Sequence, residues 1–401
     1  MLFKKNKNKE EKKVAPHLPK EVRLRGGDAI ERENWFLKLF ILAVVFGFIS
    51  GIVGGMIINS RFFDNWLWGE GGAWKATVTV NRTESKNLSR DNLNRKALSV
   101  AFEIYPASAL GKDNIIDVTA KVGSGFFLTS NGYAATVKNI FDRFNKKDLL
   151  AINSDKKVFR FGTVYNDPIT DLAIIKMEGE GGGNLPFAYE EDIYPDLDLW
   201  LPLLDTGILQ TKVLANDFWS PKTRTDYYFD SEKIYRFGLL KDLYSKKEGG
   251  APLINLQGEV VGMVLGTAEA GNNFSLFLKS PVISSALKKV LDKGVINRSY
   301  LGLHFQEVNN LVGSKDQAAL KYGVILSNNP VSGALFVDKK SPLLTLGLKL
   351  GDVVTSINDE VVSPLRSLPE ILLDYSPGDK IKIKYERAGV EKNLEVNLLK
   401  I

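Results

Sequence analysis

Imidazole and thiol side chains are scarce in this chain. Its 401 residues include two histidines, His17 and His304, and no cysteine. Lack of cysteine removes disulfide staples, thiolate metal sites and a cysteine nucleophile together. A mechanism that needs an imidazole base must therefore use one of those two histidines. The run Gly179-Glu180-Gly181-Gly182-Gly183-Asn184 is rich in glycine. No strand–loop–helix context follows it, so it reads as a turn and not as a phosphate cradle. No metal-ligand spacing and no nucleotide fingerprint is present, and no cofactor is expected.

The remaining composition describes a chain with real cores. It is 44% hydrophobic and 25% charged, long enough for two or three domains. The net charge of +6 is concentrated at one end: residues 1–38 hold 11 Lys/Arg against 6 Asp/Glu, which leaves the other 363 residues with 42 and 41. A basic nucleic-acid-binding face is not expected from that distribution. Residues 39–58, LFILAVVFGFISGIVGGMII, carry no charge over 20 positions. A helix of that length spans about 30 Å, the thickness of a bilayer's hydrocarbon core. The run is too long for the apolar part of a cleaved signal peptide. The basic residues before it predict a cytoplasmic tail, a single transmembrane helix and extracytoplasmic domains in the cell (inner) membrane. Gly47, Gly51 and Gly55 line one face of that helix, a spacing that allows close helix–helix approach.

Residues 59–95 are polar and broken by glycine, and read as a linker or stalk. From residue 96 short β-rich runs alternate with turn signals: IIDVTAKV, SGFFLTSNGYAAT, LLAINS, KVFRFGTVYN, DLAIIKM, GEVVGMVLG and NFSLFLKS. This spacing predicts a barrel or sandwich. SPVISSALKKVLDKGV (280–295) has helical periodicity and Gly294 as its stop, and closes the β domain over 96–298. A second unit occupies 299–401. It carries strands, a short helix at SPLLTLGL, another helix at SLPEILLDY, and two final strands, KIKIKYER and KNLEVNLL.

Five segments in order resemble the membrane-anchored HtrA/Deg serine proteases, which place a PDZ domain after a chymotrypsin-like domain. They are GSGFFLTSNGYAAT (123–136), NDPITDLAIIKM (166–177), GGAPLINLQGEVVGM (249–263), SLFLKSPVISSALKKVLDKGVINRSYLGL (275–303) and SPLLTLGLKLGDVVTSIND (341–359). The resemblance implies a mainly β chain: an N-terminal transmembrane helix, a chymotrypsin-like double β-barrel and a C-terminal PDZ domain. It also implies a homotrimer, because related proteases form trimers.

The family's catalytic chemistry is not carried over with its segments. Thr136-Val137-Lys138-Asn139-Ile140 occupies the histidine turn, so the base position falls on Asn139. The aspartate position is kept as Asp171. Lys247-Glu248-Gly249-Gly250-Ala251-Pro252-Leu253 occupies the nucleophile segment, and Gly249 stands where the serine belongs. A serine hydroxyl is a poor nucleophile without a base of suitable pKa. Losing the nucleophile or the base of such a triad costs about 10⁶ in turnover, roughly 8 kcal/mol of barrier. His17 falls in the cytoplasmic tail and His304 in the second unit. A serine–lysine dyad drawn from Lys138, Ser245, Lys246 and Lys247 would need a desolvated lysine, and these lie in a polar loop. Asp171 is then expected to accept hydrogen bonds, one of them from the Asn139 amide.

In the second unit Tyr300-Leu301-Gly302-Leu303 resembles the loop with which HtrA-type PDZ domains hold a peptide's terminal carboxylate. A peptide would add as a strand beside Leu303 and Phe305, facing a helix wall of Ile371, Leu372 and Tyr375. Where the family has small residues or proline, this chain has Leu343, Leu344 and Leu350. The expected protein is an HtrA-like pseudoprotease whose PDZ module binds C-terminal or unfolded peptides, in envelope protein quality control or scaffolding. An active serine endopeptidase is the alternative the resemblance alone would suggest.

Overall fold

The computed structural model describes residues 89–267, 274–311, 322–330 and 332–401. The basic tail, the apolar run 39–58 and the polar stretch up to residue 88 lie outside the described residues. Among the described residues no helix is long and apolar enough to cross a membrane.

The first element is α1 (Arg90–Val100), which begins inside the stretch expected to be a stalk. Leu93, Ala97 and Val100 recur at helical spacing and are buried, which is why these residues are helical and docked. The helix runs directly into a seven-stranded antiparallel sheet made of β1 (Ala101–Pro106), β2 (Gly123–Phe127), β3 (Tyr133–Val137), β4 (Leu149–Asn153), β5 (Val158–Phe159), β6 (Phe161–Asn166) and β7 (Leu172–Met177). The order is β5-β4-β1-β2-β3-β7-β6. The expected strand at IIDVTAKV is absent. A 3-10 turn at Val118–Ala120 stands there, with the Asp117 carboxylate accepting from the Thr119 amide at 3.0 Å. Ile115 and Val118 remain 67% and 54% exposed, so no sheet face covers them. The strand that does form is β1, whose residues 101–105 are all buried and therefore show no alternation to read.

A second group closes into a six-stranded barrel in the order β11-β14-β13-β12-β8-β9. Its strands are β8 (Asp198–Leu203), β9 (Gly207–Phe218), β11 (Phe237–Leu240), β12 (Pro252–Ile254), β13 (Val260–Thr267) and β14 (Ser275–Lys279), while β10 (Phe229–Asp230) leaves the barrel between β9 and β11. Two short helices belong to this half: α2 (Asn139–Arg143) after β3, and α3 (Ser280–Lys293) after β14. The α3 helix ends at Gly294 in the left-handed conformation, φ 66°, as its sequence predicts. Its Val282, Ile283, Ala286, Leu287 and Val290 join the main core.

The C-terminal unit is built on β16 (His304–Glu307), β17 (Val324–Leu326), β18 (Val353–Ile357), β19 (Glu360–Val361), β20 (Lys380–Arg387) and β21 (Val390–Asn397), with the short pair β15 (Ser299–Tyr300) and β22 (Leu399–Lys400) beside it. One helix, α4 (Leu368–Leu372), packs against the sheet behind a Ser367/Glu370 capping box. The helix expected at SPLLTLGL is instead a series of turns. Ser341 Oγ donates to the Leu301 carbonyl at 2.6 Å and accepts from the Leu343 amide at 3.0 Å, which ties the segment to β15's loop. Leu343 is buried, whereas Leu344 and Leu350 are exposed.

The two halves are fastened together by buried charge. Arg298 forks onto Asp167, Nε to Oδ1 at 3.1 Å and Nη2 to Oδ2 at 2.6 Å, with side chains 2% and 0% exposed. Lys279 Nζ sits between Glu190 and Glu370 at 2.6 and 2.7 Å. Burial opposes the Lys279 charge, but the two carboxylates outweigh it and hold its pKa above the ordinary lysine value. Lys289 Nζ and Ser285 Oγ of α3 donate to the carbonyls of Tyr375 and Leu373, both at 2.7 Å.

Candidate functional site

The protease-like cleft is assembled by the pairing of β3 with β7. Val137 lies opposite Leu172 in that ladder, which sets the following turn of β3 against the residue preceding β7. Lys138 N donates to the Asp171 carbonyl at 3.1 Å. Asn139 then donates twice to the Asp171 carboxylate, from N to Oδ1 at 2.9 Å and from Nδ2 to Oδ2 at 2.6 Å. Asn139 thus caps the Asp171 carboxylate with a group that carries no titrating nitrogen. Burial pushes the Asp171 pKa up, and the two Asn139 hydrogen bonds offset this only in part. Gly249 comes to the same cleft: its carbonyl accepts from Ser124 N of β2 at 2.9 Å, and a Cβ built on it would lie 3.4 Å from Val137 Cγ2.

The backbone amides near Gly249 are directed inward. Ser245 to Gly249 form a 3-10 turn with a Ser245/Glu248 capping box. In that turn Lys247 N donates to Ser245 Oγ at 3.1 Å, and Gly249 N to the Lys246 carbonyl at 3.2 Å. Gly250 N donates to the Val264 carbonyl at 2.8 Å. An oxyanion needs donors aimed at open space where charge develops, and these three amides are already committed. Gly250 itself has φ 95°, and a Cβ there would lie 1.9 Å from the Ser124 carbonyl oxygen, so glycine is required where the second barrel crosses the first sheet. The Ser245 hydroxyl and the amines of Lys138 and Lys247 do not meet. Ser245 Oγ is 2.6 Å from Glu248 Oε2, Lys247 Nζ donates to the Thr119 carbonyl at 2.9 Å, and Lys138 Nζ faces the Asp167 carbonyl at 3.5 Å.

The second candidate site lies between β16 and α4. Gly302 is left-handed, φ 71°, and a Cβ there would come within 2.9 Å of Ser341 Cβ and the Tyr300 hydroxyl. That conformation turns the Leu301 and Gly302 amides toward one point. Tyr300 Oη donates to Asp338 Oδ2 at 2.6 Å. Leu301, Leu303, Phe305, Ile371 and Leu372 are all buried in the module's core. Tyr375 packs at its edge, its hydroxyl accepting from Asn358 Nδ2 at 3.2 Å.

Four residues that sequence reading did not single out complete this site: Phe229, Asp230, Ser231 and Glu232. They belong to the 207–240 segment of the second barrel, where β10 leaves to pair antiparallel with β16, Phe229 opposite Phe305 and Asp230 opposite His304. Their sequence signal is faint. YYFDSEK is an aromatic run followed by acids, ordinary for a loop, and nothing local names its distant partner strand.

Comparison with known proteins agrees with this architecture. Residues 299–398 match the PDZ domain family. A "Probable periplasmic serine endoprotease DegP-like" of Bartonella henselae is 25% identical over 287 residues, taking in 69% of this chain and 52% of that protein. Its counterpart in Pseudomonas putida (strain GB-1) is 27% identical over 298 residues, with 69% and 56% covered. The chain thus spans about half the length of the curated relatives it matches. Among solved structures, the HtrA-type protease AlgW with tripeptide superposes with a TM-score of 0.57 at 17% identity, over 78% of this chain and 98% of that one. AlgW with decapeptide gives 0.56 at 16% identity, over 78% and 99%. The class defined by fold and site is a mainly β, chymotrypsin-like domain followed by a PDZ domain. In that arrangement the chain is similar to HtrA/DegP-type serine proteases.

Proposed function

We propose that this chain is a membrane-anchored HtrA-like pseudoprotease whose PDZ domain recognises peptides or proteins through a free C-terminal carboxylate. The observation that carries the reading is the cleft itself. Asn139 holds the Asp171 carboxylate through two hydrogen bonds, and Gly249 supplies no nucleophile. The relatives' names describe serine endoproteases; this chain departs from such chemistry at two of the three positions a triad needs. The AlgW structures are of that protease with a tripeptide and with a decapeptide, which supports peptide binding by this fold. The apolar run 39–58 behind a basic tail supports a single-pass anchor in the cell membrane, with the folded domains outside the cytoplasm. A homotrimer and a role in envelope protein quality control or scaffolding complete the proposal.

The test is cleavage of unfolded casein by the full chain, run beside a double variant, Asn139→His with Gly249→Ser. The parent is expected to give no cleavage and no adduct with a serine-directed fluorophosphonate. A serine Cβ at 249 would meet the Lys246 carbonyl at 3.1 Å, so the turn must give by a few tenths of an ångström to admit it. Casein cleavage by the parent that persists through repeated purification, together with a fluorophosphonate adduct, defeats the reading.

A further inference from the structure

The peptide groove of the PDZ domain already holds a strand. Residues 229–232 lie along β16 as an added antiparallel strand, which is how an extended peptide docks on an open sheet edge. Ser231 N donates to the Leu303 carbonyl at 3.0 Å, and Leu303 N returns a bond to Ser231 Oγ at 2.9 Å. Beyond this pairing, Glu232 Oε1 accepts from both Leu301 N and Gly302 N, each at 2.8 Å. Those are the two amides that Gly302's left-handed turn brings together. Strand alternation places Phe229 and Ser231 on one face, and both are buried, at 2% and 1% exposure. Phe229 joins the core that contains Leu368, Ile371 and Leu372, and its ring centroid is 5.8 Å from that of Phe305. On the other face Asp230 Oδ1 is 2.6 Å from His304 Nδ1.

We propose that residues 229–232 are a built-in ligand of the PDZ groove, with the Glu232 carboxylate standing in for a peptide's terminal carboxylate, and that a peptide ending in a free carboxylate binds by displacing them. This rests on the proposed peptide-binding role and adds its regulation. The stand-in is close in chemistry. A chain terminating at Ser231 would carry its α-carboxylate one residue earlier than Glu232's side chain, and could reach the same two amides without the side chain's detour. The segment is also suited to release. β10 is two residues long, and the chain before it, around Pro221 to Arg224, includes exposed positions at Lys222, Thr223 and Arg224. Because the occupant is tethered, it acts at a high effective concentration. An outside peptide therefore sees its affinity reduced by the fraction of time the groove stands open. Release would also free a segment continuous with β9 and β11 of the second barrel.

The test uses the full chain and a synthetic peptide with the sequence of residues 222–231, made with a free C-terminal carboxylate or a C-terminal amide. The variant is Phe229→Ala with Glu232→Ala. The peptide acid is expected to bind this variant at least about tenfold more tightly than the parent, and the amide to bind neither, since an uncharged terminus lacks the oxyanion the two amides hold. Hydrogen exchange of the Leu301, Gly302 and Leu303 amides supplies a second readout without peptide. They are expected to be protected in the parent and to exchange at least about tenfold faster in the variant. Equal exchange in parent and variant, or measurable and equal affinity of both for the peptide acid, overturns the built-in ligand. Faster exchange in a variant that binds neither peptide upholds the internal occupant and overturns the peptide-binding role instead. A lock provides the converse arm. The chain has no cysteine, so Asp230→Cys with His304→Cys forms a single disulfide across facing residues. The oxidised form is expected to reject the peptide acid and the reduced form to accept it. Equal binding by both forms also overturns the proposal.

Discussion

Replacing Arg298 by methionine removes the charge at the join between the protease-like half and the PDZ domain while keeping much of the side chain's volume. Asp167 is fully buried, and its Oδ1 and Oδ2 receive two bonds from the guanidinium, at 3.1 and 2.6 Å. What remains are bonds from Ile169 N at 3.1 Å and Thr170 Oγ1 at 2.9 Å, neither from a cation. Arg298 Nη1 also donates to Ser285 Oγ at 3.1 Å, which would lose that donor. Removing one partner of a buried pair costs about 3–5 kcal/mol, because the other charge stays desolvated. In a cooperative unit of about 150–250 residues each kcal/mol moves the midpoint by about 2–4 °C, and a larger unit such as this one falls at the low end, about 2 °C. The expected fall in Tm is therefore about 6–10 °C. Thermal unfolding of the full chain, followed by far-ultraviolet circular dichroism, measures it. Lys392→Met, at an exposed position on β21, is the control and is expected to stay within about 1 °C. Adding Asp167→Leu to Arg298→Met should recover part of the loss, since an apolar pair can replace a buried ion pair. An Arg298→Met midpoint within 2 °C of the parent would refute the reasoning, for it would mean that the carboxylate is not dry.

Two further outcomes follow from single observations. Gly250→Ala should prevent normal folding or lower the midpoint by more than 6 °C, because its Cβ would lie 1.9 Å from a backbone oxygen at φ 95°; limited proteolysis of the full chain reads this directly, and a protease-resistant variant of parental Tm counts against it. Docking of residues 229–232 should also depend on pH. The hydrogen bond to Asp230 raises the His304 pKa despite burial, with Glu232 and Asp338 adding in the same sense. Burial works against the Asp230 charge, yet bonds from His304 and Lys233 hold its pKa well below the carboxylate range. A raised histidine contributes fully below its free value of about 6.5 and loses that contribution as pH rises through the folded value. The depressed aspartate contributes above about 3.9 and loses its share as pH falls toward the folded value. Exchange of the Leu301 to Leu303 amides should thus be slowest near pH 5 to 6 after correction for intrinsic rates, and speed up toward pH 8. A flat corrected profile over that range refutes the role given to His304.

Much of the β domain was legible because its strands carry local signals. SGFFLTSNGYAAT shows the hairpin turn that joins β2 and β3, and SPVISSALKKVLDKG shows both the period and the stop of α3. The misreadings have physical causes. IIDVTAKV has strand composition but no sheet neighbour to cover it, and AFEIYP carries no strand signal because a fully buried strand shows no alternation. SPLLTLGL has helical spacing, but Ser341's two hydrogen bonds bind the segment into turns. The α1 helix starts within residues that read as polar linker, because three buried side chains in eleven are enough to dock it.

By itself the sequence determined which atoms this protein brings to its cleft. An asparagine and a glycine cannot become a base and a nucleophile in any fold, since side-chain chemistry is covalent and local. Only the tertiary structure decided what those positions do instead: Asn139 donates from N and Nδ2 to Asp171, the Lys247 and Gly249 amides close on their own turn, and Gly250 N reaches the Val264 carbonyl. It likewise decided that residues 229–232 dock along β16. The Phe229–Phe305 pairing joins segments far apart in the chain, and an antiparallel ladder is specified by backbone groups every residue possesses, so no local pattern could announce it.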